Sequence, residues 1–283
     1  MDFIELLRQG LMKLNNDSDL GDRSTYVGSS DVAGCPRKAV LSKIDPPDQE
    51  LSTLIRFSRG HLAEQLIISA IQDTPYKWEY QKEVVHRDQP FKAHIDFVFN
   101  GKNILMILEV KTVSSIPSTA YESWIQQIHF QMGLLQEQYP KKHVRGSVLA
   151  IDLNDGKIKL YNDFEYNSML YEGLLQKASH IWQCTRDIEV EPKTQTSPLC
   201  AWCLYRPGCP AYDHNVEIPE LPIEDELNTY IGLKATKKSS ETELAKLANF
   251  LRFAIANANP DGMAIKVGPN VVRTNERNWI LVE

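Results

Sequence analysis

No stretch of these 283 residues is an apolar run of membrane-spanning length, which sets aside an integral helical membrane protein. Positive charge is not in surplus either: 31 lysines and arginines against 37 aspartates and glutamates leave a net charge of −6. Such a chain cannot coat a polyanion by bulk charge, so any nucleic-acid contact must rest on local basic patches. Internal repeats and low-complexity tracts are missing, which argues against a repeat architecture. Cysteine is scarce, five in all, and the opening MDFIELLRQG is a charged amphipathic segment rather than an export signal. The expected compartment is the cytoplasm, where disulfides are rare. What is present is 42% hydrophobic residues, enough for a real core, in a length that allows one large domain or a domain with an appendage.

The most informative stretch is Phe91 to Thr112, FKAHIDFVFNGKNILMILEVKT. Phe91, Ala93, Ile95, Phe97 and Phe99 alternate with Lys92, His94, Asp96 and Val98, the period of a half-buried strand. Asn100-Gly101 supplies a turn. The second strand, Ile104 to Val110, opens as an unbroken apolar run and so belongs in the centre of a sheet, covered on both faces. Glu109 and Lys111 are two apart and share one face, with Val110 on the other. An acid and a lysine buried there are costly without a partner or a metal. Asp96 on the neighbouring strand can complete a site. Two carboxylates at adjacent strand ends make a hard-oxygen set suited to Mg²⁺ or Mn²⁺. A lysine beside them can lower the pKa of an attacking water or balance charge on a phosphate.

The rest of the chain is read around this hairpin. Residues 1–14 form a helix with Phe3, Leu6, Leu7 and Leu11 in one stripe, and 15–28 a loop. Ser29, Ser30 and Asp31 cap a helix that carries Cys35-Pro36-Arg37-Lys38 in its early turns and ends at Asp45-Pro46-Pro47. A longer helix runs from Thr53 to Gln72, an edge strand from Trp78 to Arg87. The helix over 119–138 puts Gln127 and Gln131 on one face. A strand over 146–152 pairs with one over 156–161, and a helix covers 164–187. Residues 191–215, rich in Pro and Cys, cannot be regular. One long helix or two over 222–258, then a hairpin from Met263 to Val282 turning at Gly268-Pro269-Asn270, close the chain. The fold class is α/β, a mixed central sheet flanked by helices, with residues 1–215 as one domain and 216–283 as a helix-plus-hairpin extension.

Three cysteines crowd into ten residues: Cys200-Ala-Trp-Cys203, then Cys209. That clustering favours a metal over disulfides. C-x₂-C-x₅-C offers three ligands on a tight loop, and the fourth comes from elsewhere, Cys35 and Cys184 being the other cysteines and His214 a nearby histidine. Four thiolates make a tetrahedral site for zinc or hold an iron–sulfur cluster, and the spacing does not choose between them. Cys35 as an inert buried thiol stays open.

Asp96, twelve residues, then Glu109-x-Lys111 resembles the signature of the PD-(D/E)xK nuclease superfamily. With Cys35-Pro36-Arg37-Lys38 ahead of it and C-x₂-C-x₅-C behind it, the stretch 25–215 resembles the iron–sulfur RecB-family nucleases. Among these are the CRISPR-associated RecB-like exonucleases and the nuclease domain of AddB. The resemblance implies a restriction-endonuclease-like fold and DNA cleavage that depends on Mg²⁺ or Mn²⁺. It also implies a [4Fe–4S] cluster on Cys35, Cys200, Cys203 and Cys209 that fastens the two ends of the nuclease fold together. Cys184 has no counterpart.

Two motifs depart from that branch. The family's Gly-x-x-x-His stands here as Gly60-x-x-x-Glu64, with His61 just after the glycine, which is similar to the λ-exonuclease and YqaJ-type phage recombination nucleases. Its Gln-x-x-x-Tyr stands as Gln127-x-x-x-Gln131, similar to the YqaJ type. These imply Glu64 as a third metal ligand, with His61 the fallback, beside Asp96, Glu109 and the Val110 carbonyl. Gln127 then orients the substrate phosphate or Lys111. Arg37, Lys38, Arg56 and Arg59 are candidates for a basic approach to a DNA strand. The implied partners are DNA, single-stranded or a duplex end, and proteins of recombination, repair or CRISPR adaptation; a homo-oligomer is compatible and a membrane is not expected. The rival reading, from a different class, is a non-catalytic DNA-end-binding or assembly module that keeps the fold.

Overall fold

Strand β3 (Phe91–Asn100) is the one on which two different pairings meet, and the rest of the sheet follows from it. The structure, a computed structural model, describes residues 2–16, 20–212, 224–258, 264–274 and 280–282. The chain divides into two units, Met1–Asp213 and His214–Glu283.

In the first unit the helices are α1 (Phe3–Asn16), α2 (Ser29–Ala33), α3 (Pro36–Ile44), α4 (Leu51–Ile71), α5 (Glu122–Gln138) and α6 (Ser168–Arg186). They flank a mixed sheet of β1 (Val27–Gly28), β2 (Trp78–Val85), β3, β4 (Ile104–Thr112), β5 (His143–Asp152) and β6 (Lys157–Glu165). β2 lies antiparallel along one edge of β3, from Trp78 opposite Phe99 to Val85 opposite Lys92. On the other edge β4 pairs antiparallel only with residues 97–100, and β1 pairs parallel only at Phe91 and Lys92. Among the described residues, 93–96 of β3 therefore have no strand on that edge, and Asp96 stands where β4 forks away. Beyond the fork β4 runs parallel to β5 over its whole length, and β5 pairs antiparallel with β6.

β4 is central, as its apolar run requires. It is not sealed on both faces, however: Leu105 and Ile107 are buried, but Met106 on the opposite face is 44% exposed. The cluster under α4, built on Ala63, Phe97, Val110 and Ile151, covers only the far end of that face. β3 also departs from simple alternation. Phe91, Ala93 and Ile95 join Val98 in the larger core, whereas Phe97 enters the smaller one. Val98, assigned by alternation to the polar face, is wholly buried. The switch brackets Asp96, opposite which Gln81 of β2 takes a left-handed backbone, φ +48°. α5 lies tightly on α6: a Cβ on Gly133 would stand 2.0 Å from the Tyr171 ring, so only glycine permits this approach.

Several boundaries differ from the sequence reading, among them these. The helix expected over 29–44 is two helices, because Gly34 and Cys35 break it and Pro36 bars Cys35 from helical backbone. Cys35 thus sits at the N-cap of α3 instead of within a turn. The loop over 15–28 contains a short turn, Arg23–Thr25, capped by Asp22, and then β1. In the second unit, α7 (Glu224–Ala258) is one helix. The closing hairpin gains a third strand: β7 (Ala264–Val267), β8 (Asn270–Thr274) and β9 (Ile280–Val282) form an antiparallel sheet. Its first turn uses Gly268 at φ +58°. No helix of the described residues is long and apolar enough to cross a membrane.

Candidate active site

Where β3 and β4 part, a side chain replaces the missing strand bond. Asp96 Oδ2 accepts the Val110 amide N–H at 2.8 Å. Alternation then turns Glu109 and Lys111 toward α5 and sends Val110 into the smaller core. Glu109 is 3% exposed. Its Oε1 accepts from Lys111 Nζ at 2.7 Å and Gln127 Nε2 at 2.6 Å, and its Oε2 from Gln131 Nε2 at 2.7 Å. Both glutamines can reach it because i and i+4 share a helix face. Gln127 Oε1 accepts a second bond from Lys111, 2.8 Å, so the amide spans the pair.

Glu64 arrives from α4 and is buried. Its Oε2 accepts the Tyr80 hydroxyl at 2.7 Å and Gln81 Nε2 at 3.0 Å; the same Nε2 stands 3.4 Å from Asp96 Oδ1. His61 Nδ1 is 3.7 Å from Glu64 Oε2, on a side chain 59% exposed. The structure thus brings Glu64, Asp96, Glu109, Lys111 and Gln127 together from α4, β3, β4 and α5, with His61 at the rim.

The charges in this cluster are unbalanced. Burial, then Glu109, then Glu64, push the Asp96 carboxyl well above the usual carboxylate range, against Lys111 and the Val110 N–H. Burial pulls the Lys111 ammonium down, but Glu109, Asp96 and Glu64 together outweigh it and hold it above its ordinary value. Burial and the bond to Glu64 push the Tyr80 hydroxyl up. Three carboxylates face one ammonium, the surplus that a divalent cation with oxygen ligands would neutralise. Among the described residues no group of three or more His, Cys, Asp or Glu is disposed to hold a metal ion as it stands. The oxygens of Glu64 and Glu109 point instead at hydroxyl, amide and ammonium donors.

A cavity of about 350 Å³ opens over Asp96, Tyr80, Gln81 and Gln127, and its wall carries Arg23, Lys92 and His94. Arg23 and Lys92 are its basic groups, each paired, with Asp31 at 3.2 Å and Glu83 at 2.8 Å, and burial lowers the His94 imidazole. Arg37 is engaged elsewhere: its guanidinium donates to the Tyr205 and Gly208 carbonyls, each at 3.0 Å.

That contact bears on the cysteines. The Arg37 amide donates to the Lys193 carbonyl at 3.1 Å, and Tyr205 Oη to the Asp45 carbonyl at 2.9 Å. The irregular segment is therefore fastened to α3 by main-chain carbonyls. Cys35 Sγ accepts the Gln195 N–H and Cys200 Sγ the Ser197 N–H, both at 3.3 Å. The Ser197 amide, then the Tyr212 hydroxyl, with Arg206 adding to them, lower the Cys200 thiol. Cys203 and Cys209 are half-buried in the same segment, and none of these cysteines is in a disulfide. Cys184 is buried in the larger core. His214 lies outside the described residues.

Sequence reasoning missed Tyr80 and Gln81. The antiparallel register of β2 on β3 places Gln81 across from Asp96, and a strand alignment could have found that. Nothing in the residue types announces a left-handed glutamine.

No protein-family model matches the chain, and no curated protein does. Solved structures do. The crystal structure of SSO0001 superposes with a TM-score of 0.54 at 14% identity, over 74% of this chain and 96% of that one. An alkaline exonuclease, LHK-Exo from Laribacter hongkongensis, gives a TM-score of 0.43 at 14% identity, over 59% of this chain and 91% of its own. Its complex with dAMP gives 0.43 at 15%. At such identities the likeness to SSO0001 is one of fold, and the other two superpose more weakly.

Proposed function

We propose that the chain is a metal-dependent deoxyribonuclease, an exonuclease of the PD-(D/E)xK kind that it resembles, on a restriction-endonuclease-like fold. The observation that carries this reading is the fork: Asp96, Glu109 and Glu64 are buried beside Lys111, three carboxyl groups to one ammonium, under an open cavity whose wall carries Arg23 and Lys92. Glu64, Asp96, Glu109 and the Val110 carbonyl would hold Mg²⁺ or Mn²⁺. When bound, the ion supplies a polarised phosphate and a water of lowered pKa.

The protein's own residues do the rest. Lys111, bonded to Glu109 and Gln127, aids the attacking water or balances the charge that develops on the phosphoryl oxygens. Gln127 fixes it there by its carbonyl oxygen. Arg23 and Lys92 line the approach of the phosphate backbone. Cys35, Cys200, Cys203 and Cys209 would hold a [4Fe–4S] cluster, which the N–H bonds to the Cys35 and Cys200 sulfurs suit. The context we assign from the resemblance is DNA recombination and repair or CRISPR adaptation.

Digestion of end-labelled linear and circular DNA with Mn²⁺ tests the activity. Linear DNA should be degraded and closed circles spared, and Asp96→Asn or Lys111→Ala should abolish cleavage. An inert wild-type protein with both ions, or wild-type rates in both variants, would overturn the reading.

A further inference from the structure

We propose that Gln81 is a positioning residue of the carboxylate cluster, holding Glu64 and Asp96 in register for a divalent cation through one shared carboxamide. The inference rests on the nuclease reading above. It starts from an anomaly of geometry. Neighbouring residues on a strand point to opposite faces, yet Tyr80 and Gln81 both bond Glu64 Oε2, at 2.7 and 3.0 Å. The Gln81 backbone makes this happen, because at φ +48° it leaves the strand conformation for the left-handed region.

No residue has been inserted to cause the turn. Tyr80 still pairs with Phe97 and Lys82 with Ile95, so one position alone is strained, and it faces Asp96. Glycine or asparagine would adopt that backbone at less cost. A glutamine stands there instead, and its Nε2 lies between Glu64 Oε2 and Asp96 Oδ1, 3.0 and 3.4 Å away. Local strain that persists at a cluster of charged groups points to a use for the side chain it aims.

The use follows from the chemistry of an amide. Glu64 is carried by α4 and Asp96 by β3, so nothing local to either element sets the distance between the two carboxylates. Among the described residues, Gln81 is the side chain that bonds both. A lysine or arginine in its place would also bridge them, but its charge would compete with a cation. A carboxamide fixes the spacing and adds no charge. Hydrogen-bond partners of ligating carboxylates typically affect metal affinity by about 10- to 100-fold.

The test is Mn²⁺ binding to the full chain without DNA, read from the free-ion signal in electron paramagnetic resonance. Gln81→Met keeps the side-chain length but has no side-chain N–H. Gln81→Gly relieves the backbone and removes the side chain. Both should weaken binding about tenfold, while circular dichroism shows the fold retained. If Gln81→Met does not fold, Gln81→Gly decides alone. Wild-type affinity in whichever of the two folds overturns the proposal. Asp96→Asn separates this failure from that of the site itself: unchanged Mn²⁺ binding there would remove the metal-site reading and the role of Gln81 together. Loss of binding in Asp96→Asn with wild-type affinity in Gln81→Met would remove only the latter.

Discussion

Gln131 lies wholly inside α5, and its carboxamide makes two opposite contributions. Nε2 donates to Glu109 Oε2 at 2.7 Å, whereas Oε1 is buried with no partner. Gln131→Leu keeps the volume and removes both. Loss of a hydrogen bond to a charged group costs about 1.5–3 kcal/mol, and removing an unpaired buried acceptor returns about 1–3 kcal/mol. The two nearly cancel, so the unfolding free energy should move by about 1 kcal/mol or less. Cleavage should not be spared in the same way. Glu109 loses its donor on Oε2, and the loss of such a partner costs about 10- to 100-fold in metal affinity or activity. Urea unfolding in chelator, run beside timed digestion of linear DNA with Mn²⁺, measures both effects. Gln131→Glu makes the contrast, since an uncompensated buried charge beside Glu109 costs about 3–5 kcal/mol. Wild-type cleavage by Gln131→Leu, or a stability loss as large as that of Gln131→Glu, would refute the account of how Glu109 is held.

Two further outcomes follow from the electrostatics and the cysteines. The Asp96 carboxyl is pushed up in the folded chain, so its favourable contribution is complete below the unfolded-state value, about 3.9, and is lost as pH rises through the folded one. Without divalent ions, the stability of Asp96→Asn relative to wild type should therefore grow from pH 5 to pH 8, and Mn²⁺ should stabilise the wild type alone; a pH-independent difference would contradict this. The purified chain should be brown, and replacing Cys35, Cys200, Cys203 or Cys209 by Ala should lose the colour and the bound metal while Cys184→Ala loses neither. Stoichiometric zinc in a colourless protein would remove the iron assignment and keep the ligand set.

Much of the site was legible in the residue order because its groups are spaced by local geometry. A charged pair two apart at the end of an apolar run must share a strand face, which placed Glu109 with Lys111. Two glutamines four apart must share a helix face, which placed Gln127 with Gln131. Glycine and proline likewise marked where helices end, although Gly34-Cys35-Pro36 broke one more helix than was read.

The sequence by itself determined which side chains of one element stand beside one another, because strand and helix periods act over a few residues. Only the tertiary structure decided the rest. The fork between β3 and β4, the swap of faces about Asp96 and the reach of Glu64 from α4 all depend on how separate elements pack. So do the left-handed Gln81 and the capture of Arg37 by the carbonyls of Tyr205 and Gly208. These contacts join residues far apart in the chain, and no local preference favours them: a glutamine in a strand prefers extended backbone, and an arginine is as apt for solvent or phosphate as for a carbonyl. They exist only in a fold where β3 and β4 part at that point and the cysteine-bearing segment lies against α3.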